Sequence, residues 1–297
     1  MGIWMVVRRR RLLALAGVGC LGLLLFWRLL CPASDRAVLA EEGETIQLPV
    51  LMYHHMLQDS RLLGDYCIRP ADFEADLRRI REEGYTTISI AELLAWADGQ
   101  GELPRHPILL TFDDGYESTY TYAYPLLRQY GMKAVVSIIG RYTDQYSESD
   151  DHHLNYAHLT WAEARAMQAS GLVELMNHSY DLHSNTHRRG MNPLMGEDPE
   201  AYRQLLLADI GGMQAKLEGA LGTRPAAFAY PFGYRCEAGD AVLRSLGFRV
   251  LLGCEEGINH LTRQPGGCYR LRRYNRALTF DMDAFFASLS EGAEGAL

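Results

Sequence analysis

The chain has 297 residues, 48% of them hydrophobic and 22% charged, so it has enough apolar material for a large core and does not resemble a disordered protein. Its net charge of −8 and isoelectric point near 5.7 argue against a nucleic-acid-binding surface. One large domain of alternating strands and helices accounts for this length.

The first residues form a segment distinct from the rest. Four arginines, Arg8 to Arg11, precede an almost uninterrupted apolar run from Leu12 to Trp27. Arginines keep their side of such a run cytoplasmic, so the pattern predicts a basic stub and signal anchor over 1–31 and a linker over 32–46. We therefore expect a single-pass membrane protein with the rest of the chain outside, or a secreted protein if the signal is cleaved.

From residue 47 onward, short aliphatic runs alternate with amphipathic stretches, as in parallel strands joined by helices. The predicted strands lie at 48–53, 86–90, 108–112, 134–139, 172–176, 227–230 and 248–252. The predicted helices lie at 72–83, 91–97 and 117–130, each ending close to a glycine. The sequence thus predicts an α/β fold, a distorted barrel of seven or eight β/α units, over 47–297.

Polar side chains follow several of these strands directly. His54 follows the first strand, Asp113 and Asp114 follow the third, His178 follows the fifth, and Pro231-Phe232-Gly233 follows the sixth. The carboxyl ends of barrel strands meet on one face, where the active sites of such barrels lie. We expect these positions to converge there.

The pentapeptide Thr111-Phe112-Asp113-Asp114-Gly115 is the strongest single signal. Adjacent carboxylates at a strand end diverge, so one can bind a metal while the other handles protons. An Asp-Asp-Gly sequence alone is equally typical of a turn. A specified pentapeptide, however, occurs by chance in a chain of this length about once in ten thousand cases.

The segment from Met176 to His183 adds two imidazoles next to a strand end. Asp114, His178 and His183 together would hold a divalent ion; we expect zinc, with cobalt, nickel or manganese as alternatives. Such a site leaves room for a water and a carbonyl oxygen. A second polar run, Asp150 to His153 with His158, could bind a metal on a loop, but it is interpreted as a solvated insertion.

These segments together resemble the polysaccharide deacetylases of the NodB-homology type, carbohydrate esterase family four, over about residues 48–275. The resemblance implies that Asp113 is the general base, that Asp114, His178 and His183 bind the metal, and that the Phe232 amide stabilises the oxyanion. Met52-Tyr53-His54 is similar to the opening strand of the branch that includes poly-N-acetylglucosamine deacetylases. The implied partner is a polysaccharide with N-acetylated sugars.

Three departures from the family pattern limit this assignment. The usual histidine spacing of four fits His183 and His187, which leaves His187 as an alternative second ligand. Ala229 replaces the arginine that orients the base in many relatives, and Arg273 is one candidate for that task. Tyr274 stands where a histidine general acid is expected, so the acid remains open between Asp113, His54 and a water.

The predicted function is metal-dependent removal of N-acetyl groups from amino sugars of an envelope or extracellular polysaccharide. Substrate contacts are expected from His54, Tyr230 and Arg273, and Tyr116 is a further candidate for stacking on sugars. The alternatives are an O-acetyl esterase acting on xylan or cell-wall glycan and a glycan-binding scaffold of weak activity. A disulfide between Cys254 and Cys268 and free buried thiols are both compatible with the sequence.

Overall fold

A computed structural model describes residues 45–294, with side chains as far as 290. The predicted signal anchor at 1–31 and nearly all of the predicted linker lie outside this range. Between residues 45 and 294, no helix combines the length and the apolar character that crossing a membrane requires.

The first strand begins at Thr45, two residues before the predicted start of the barrel. The strands, in chain order, are β1 Thr45–Leu48, β2 Val50–Tyr53, β3 His55–Met56, β4 Cys67–Ile68, β5 Thr86–Thr87, β6 Pro107–Phe112, β7 Ala134–Ile138, β8 Val173–Asn177, β9 Ala227–Ala229, β10 Val250–Leu252, β11 Asn259–Thr262, β12 Cys268–Leu271 and β13 Tyr274–Asn275.

The main sheet is parallel and follows the order β13-β2-β6-β7-β8-β9-β10-β12, with β5 beside β6. Successive strands from β6 to β10 are neighbours, which is the winding of a β/α barrel. The pairing among the described strands leaves β12 and β13 as the two edges, so the sheet is an open barrel. Because β12 ends at Leu271 and β13 begins at Tyr274, Arg272 and Arg273 alone connect one edge to the other.

The helices are α1 Pro70–Glu82, α2 Ile90–Ala97, α3 Tyr124–Tyr130, α4 Gly140–Ser149, α5 Trp161–Ala169, α6 Pro199–Leu221, α7 Glu237–Ser245 and α8 Met282–Glu294. The predicted strand at 86–90 was too long, because Ser89 caps α2 by accepting a hydrogen bond from the Glu92 amide. The predicted helix at 117–130 begins with a wide turn, Thr119–Ala123, before α3.

Alternation along the strands separates an inner face from an outer one. Val50, Leu109, Val135 and Val250 share the inner core with residues of α2, including the fully buried Trp96. The side chain of Glu174 accepts hydrogen bonds from the first amides of α2, Ile90 N at 2.6 Å and Ala91 N at 3.1 Å. That contact holds α2 against the amino-terminal end of the barrel, opposite the predicted site.

A buried ion pair ties the outer helix α1 to the segment after β13. Asp76 accepts from Arg276 Nε at 2.8 Å and Nη2 at 3.0 Å, and from the Tyr53 hydroxyl at 3.2 Å. Burial raises the pKa of Asp76 to about 6, against the lowering effect of Arg276. Each residue of this buried ion pair therefore compensates the charge of the other.

We expect Asp76→Ala to lower the free energy of unfolding by about 3–5 kcal/mol, because it leaves the Arg276 charge buried without its partner. Urea unfolding followed by circular dichroism measures the change. Glu82→Ala, on the exposed side of the same helix, is the control and should change stability by less than about 0.5 kcal/mol. Equal effects of the two substitutions would contradict the assignment.

Candidate metal-dependent active site

The alternation of side chains that builds the inner core also places the polar residues of the site on the inner face. Leu109, Thr111 and Asp113 lie two residues apart along and beyond β6, and Glu174, Met176 and His178 repeat the pattern on β8. Asp113 and His178 therefore continue the inner face one residue past the end of each strand, and their backbone amides still donate to the neighbouring strand, to Tyr53 O at 2.8 Å and to Ile138 O at 3.2 Å. The carboxyl ends of β2, β6, β8, β9 and β10 are called the rim below.

Asp113 is buried and accepts hydrogen bonds from a guanidinium and a hydroxyl. Arg273 donates from Nη1 to Oδ1 and from Nη2 to Oδ2, both at 2.8 Å, and Ser137 Oγ donates to Oδ1 at 2.8 Å. Burial alone would raise the pKa of Asp113, but Arg273 and then His178 oppose it and hold the pKa well below its usual range. Asp113 is consequently a carboxylate.

Arg273 is 0% exposed, which rules out the predicted direct contact with substrate. Its Nε donates to the Gly253 carbonyl at 2.7 Å, and Nη1 lies 3.3 Å from Thr111 Oγ1. The structure instead places Arg273 in the other role considered from sequence, beside Asp113. It reaches the inner face from the segment that joins the two sheet edges.

Asp114, His178 and His183 come together next to Asp113. Asp114 Oδ1 lies 3.4 Å from His178 Nε2 and 3.1 Å from His183 Nε2, and all three ligand atoms lie within 4.8 Å of one another. A tetrahedral zinc ion with bonds of about 2.1 Å would hold its ligand atoms about 3.4 Å apart. The spacing fits such an ion.

Two further observations support a metal at these residues. Asp114 Oδ1 is buried without a hydrogen bond of normal geometry. His178 Nδ1 lies 2.9 Å from the Ala229 carbonyl, which selects the tautomer with its proton on Nδ1 and leaves Nε2 free as a ligand. Burial raises and the two histidines lower the pKa of Asp114, which ends well below its usual value.

His187, the alternative second ligand, is exposed and does not belong to this group. His183 is held over the group by Phe232, whose ring centroid lies 4.3 Å from the imidazole centroid. Among the described residues, geometry therefore favours His183 over His187.

The two aromatic residues expected on the β9 side differ from each other. Phe232 is 41% exposed and has a φ of 57°, so it faces the solvent above His183. Tyr230 is completely buried, packs in the outer core with Phe228, and donates to Asp240 Oδ1 at 2.7 Å. The prediction that Tyr230 contacts substrate is wrong, because alternation turns it away from the inner face.

His54 lies beside the site and is not one of the three clustered residues. Its ring meets Tyr66 edge-on with centroids 4.9 Å apart, and its buried Nδ1 has no hydrogen-bond partner. Burial lowers the pKa of His54, while the nearby charges of Asp113 and Asp114 oppose that shift. A neutral imidazole thus stands near both carboxylates.

Sequence reasoning missed several residues around the site. Ser137, a polar residue within an apolar strand, was the available signal for the third donor to Asp113. Tyr116, predicted to stack on sugars, lies half-buried between His55 and His158, with ring centroids at 4.3 and 4.7 Å. No sequence pattern indicated this aromatic column, because its members come from three separate loops.

The suggested disulfide between Cys254 and Cys268 is not formed. The four cysteines of the described range, Cys67, Cys236, Cys254 and Cys268, are all free. Cys254 follows β10 at the rim, with its sulfur 3.8 Å from Arg273 Nη2, whereas Cys268 packs in the inner core.

Comparison with known proteins agrees with this architecture. Residues 100–251 match the family model described as polysaccharide deacetylase. The chain belongs to the polysaccharide deacetylase family. The match spans β6 to β10, which supply Asp113, Asp114, His178 and His183.

The relatives include the poly-beta-1,6-N-acetyl-D-glucosamine N-deacetylase of Escherichia coli K12, 26% identical over 248 residues. That alignment covers 76% of this chain but only 37% of the relative. The enzyme of the same name from Staphylococcus aureus N315 is 24% identical over 202 residues, 68% of this chain and 66% of the relative.

Solved structures show the same fold. A de-N-acetylase from Aggregatibacter actinomycetemcomitans has a TM-score of 0.72 at 20% identity, covering 81% of this chain and 98% of that one. IcaB from Ammonifex degensii has a TM-score of 0.63 at 25% identity, covering 82% of this chain and 96% of that one.

We expect His183→Ala to lose one equivalent of bound divalent ion relative to the unaltered protein, because it removes one of three protein ligands. Equilibrium dialysis against Zn²⁺ followed by elemental analysis measures the content. His187→Ala is the matched control and should keep it. Loss in His187→Ala but not in His183→Ala would reverse the assignment.

Proposed function

We propose that this protein is a metal-dependent N-deacetylase of an envelope polysaccharide, with β-1,6-linked poly-N-acetylglucosamine as the first substrate to test. One observation carries the proposal: a buried carboxylate held by an arginine stands beside an aspartate and two histidines spaced for a divalent ion. The named relatives support the choice of substrate.

In this proposal, Asp114, His178 and His183 hold the ion. A divalent ion supplies Lewis acidity, which makes a water more acidic and polarises the acetyl carbonyl. We expect zinc from the two imidazoles and one carboxylate, although this donor set also accepts cobalt, nickel and manganese.

Asp113 is proposed to accept the proton of the attacking water. Its Oδ1 receives hydrogen bonds from Arg273 and Ser137, whereas Oδ2 receives one from Arg273. Oδ2 thus keeps a lone pair for the water. Arg273 orients the Asp113 carboxylate. Replacing Arg273 would therefore alter both the position of that carboxylate and the charge beside it.

Exposed aromatic residues beside the site are proposed to hold the sugar. Phe232 packs on His183, and Tyr66, 62% exposed, packs on His54. Their rings offer apolar surface next to His183 and His54. The amide of Phe232, which follows Pro231 at the rim, is assigned to the developing oxyanion.

His54 is proposed to help the amine leave. Tyr274 occupies β13 and supplies no imidazole, whereas His54 lies near both carboxylates and has a buried nitrogen without a partner. The neutral ring can accept the proton that Asp113 took from the water and, as an imidazolium, give it to the departing nitrogen. An amide needs this help because an unprotonated amine is a poor leaving group.

The location is a further part of the proposal. The arginines at 8–11 and the apolar run at 12–27 support a membrane anchor that presents the barrel to the envelope. There the barrel would meet the polysaccharide.

We expect Asp113→Asn to lower kcat for acetate release from β-1,6-linked N-acetylglucosamine oligomers by about 10²–10⁴, because asparagine cannot take the proton. Metal content and the melting temperature, measured on the same sample, show whether the site remains assembled. Acetate is measured enzymatically in the presence of Zn²⁺.

Ser245→Ala, on α7 away from the rim, is the control and should retain full activity. Undiminished release by a folded, metal-loaded Asp113→Asn protein would overturn the role of Asp113. A metal-loaded, unaltered protein that releases no acetate from these oligomers, peptidoglycan or acetylated xylan would instead be a glycan-binding scaffold.

We expect His54→Gln to slow release from the N-acetyl oligomer much more than from 4-nitrophenyl acetate, whose leaving group needs no proton. The measured quantity is the ratio of the two kcat values. His106→Gln, an exposed histidine at the opposite end of the barrel, should leave the ratio unchanged. Equal losses on both substrates would remove His54 from this role, and a preference of the unaltered protein for acetylated xylan would favour the esterase.

A further inference from the structure

A second cluster of metal-ligating side chains lies apart from the site described above. Glu117 follows β6 in the loop before the wide turn, His152 lies beyond α4, and Glu163 lies in the first turn of α5. One ligand atom of each lies within 4.8 Å of the other two. Sequence reasoning preferred a solvated insertion to a metal-binding loop for the His152 region, and it did not connect Glu117 or Glu163 with it.

The arrangement has the form of a coordination shell. His152 Nδ1 is 3.3 Å from Glu117 Oε2 and 3.2 Å from Glu163 Oε1. Ligand atoms about 3.4 Å apart surround an ion with bonds of about 2.1 Å. On the other side of the imidazole, Nε2 is 3.2 Å from Asp150 Oδ1, as in the carboxylate–histidine pairs that orient metal-binding imidazoles.

Glu117 provides the observation that points to a ligand. The residue is 3% exposed, and its Oε2 is buried without a hydrogen bond of normal geometry. Its other oxygen, Oε1, accepts from Thr121 at 3.3 Å. Glu163 Oε2 is already used by the amide and hydroxyl of Thr160, both at 2.8 Å, so its Oε1 is the oxygen available to the cluster.

The charges favour a divalent ion over an imidazolium alone. Two buried carboxylates and a protonated His152 leave a net charge of about −1, whereas two carboxylates, a neutral imidazole and a divalent cation sum to zero. The glutamates thus repel each other unless a cation or a proton lies between them.

We propose that Glu117, His152 and Glu163 form a second site for a divalent transition-metal ion such as Zn²⁺ or Mn²⁺, separate from the catalytic one. Two carboxylate oxygens and one imidazole nitrogen suit these ions. The site joins the loop of the catalytic aspartates to the 150–158 segment.

The site has a structural consequence for the first one. Glu117 N donates to the Ala157 carbonyl at 2.9 Å, and Leu159 N donates to the Gly115 carbonyl at 2.8 Å. Between these bonds, Tyr116 stacks on His158. An ion at Glu117 and His152 would fix the same two segments and hold this aromatic wall against the loop that carries Asp114.

Metal stoichiometry separates the two sites without relying on activity. The full chain is dialysed to equilibrium against Zn²⁺ alone, and bound zinc per chain is measured by elemental analysis. We expect two equivalents in the unaltered protein, one in His152→Ala, one in His183→Ala and none in the double variant. His153→Ala, the exposed neighbour, is the matched control and should keep two.

Glu163→Gln provides an independent test, because glutamine keeps the side-chain cap of α5 but removes the ligand charge. When Glu163→Gln is combined with His183→Ala, we expect the remaining equivalent of bound zinc to be lost. The Zn²⁺-dependent rise in melting temperature should then disappear as well. One equivalent that persists in His152→Ala and is lost in His183→Ala would overturn the second site and leave an ion pair of protonated His152. An equivalent kept in His183→Ala but lost in His152→Ala would support it even if the first site bound no zinc.

Discussion

The buried pair of Arg273 and Asp113 is the interaction on which the arrangement of the site depends. A carboxylate in the barrel interior would take up a proton unless a positive charge compensated it, and two parallel hydrogen bonds at 2.8 Å provide that charge. The arginine belongs to the two residues that connect the sheet edges. The segment that links the two sheet edges therefore also keeps Asp113 ionised, and either charge alone would be costly to bury.

The same pair explains how an arginine is supplied although Ala229 stands where many relatives carry one. Ala229 lies on the inner face of β9, and its carbonyl accepts from His178 Nδ1. A short side chain there contributes no charge, so the guanidinium must come from another strand end. Arg273 arrives from the far edge of the sheet and also binds the carbonyl of Gly253. Arg273 thus supplies the charge beside Asp113 that Ala229 cannot supply.

Much of the site could be predicted because it lies at strand ends. Asp113 and His178 follow apolar runs, and the alternation of side chains along each strand places them on the inner face. The prediction for Tyr230 ignored that alternation and was wrong. The contacts of Arg273 and Ser137 with Asp113 were harder to predict. The first depends on the segment that links the two sheet edges, and the second depends on the register between β6 and β7. Of the fold, the strands β2 and β5 to β10 were found within a few residues, whereas the two-residue strands β3 and β4 were missed. The edge strands β12 and β13 were missed because they are short and partly exposed.

Backbone conformation gives an independent indication that this rim was shaped for chemistry. Of the five non-glycine residues with positive φ in the described range, Asp114, Ser179 and Phe232 lie at the rim, with φ of 69°, 71° and 57°. Each such residue costs on the order of 1 kcal/mol or more and persists only where its surroundings enforce it. Asp114 turns its carboxylate away from Asp113, Ser179 follows the first histidine, and Phe232 directs its ring over His183. A barrel that served only for stability would have no reason to concentrate this strain where its polar side chains converge.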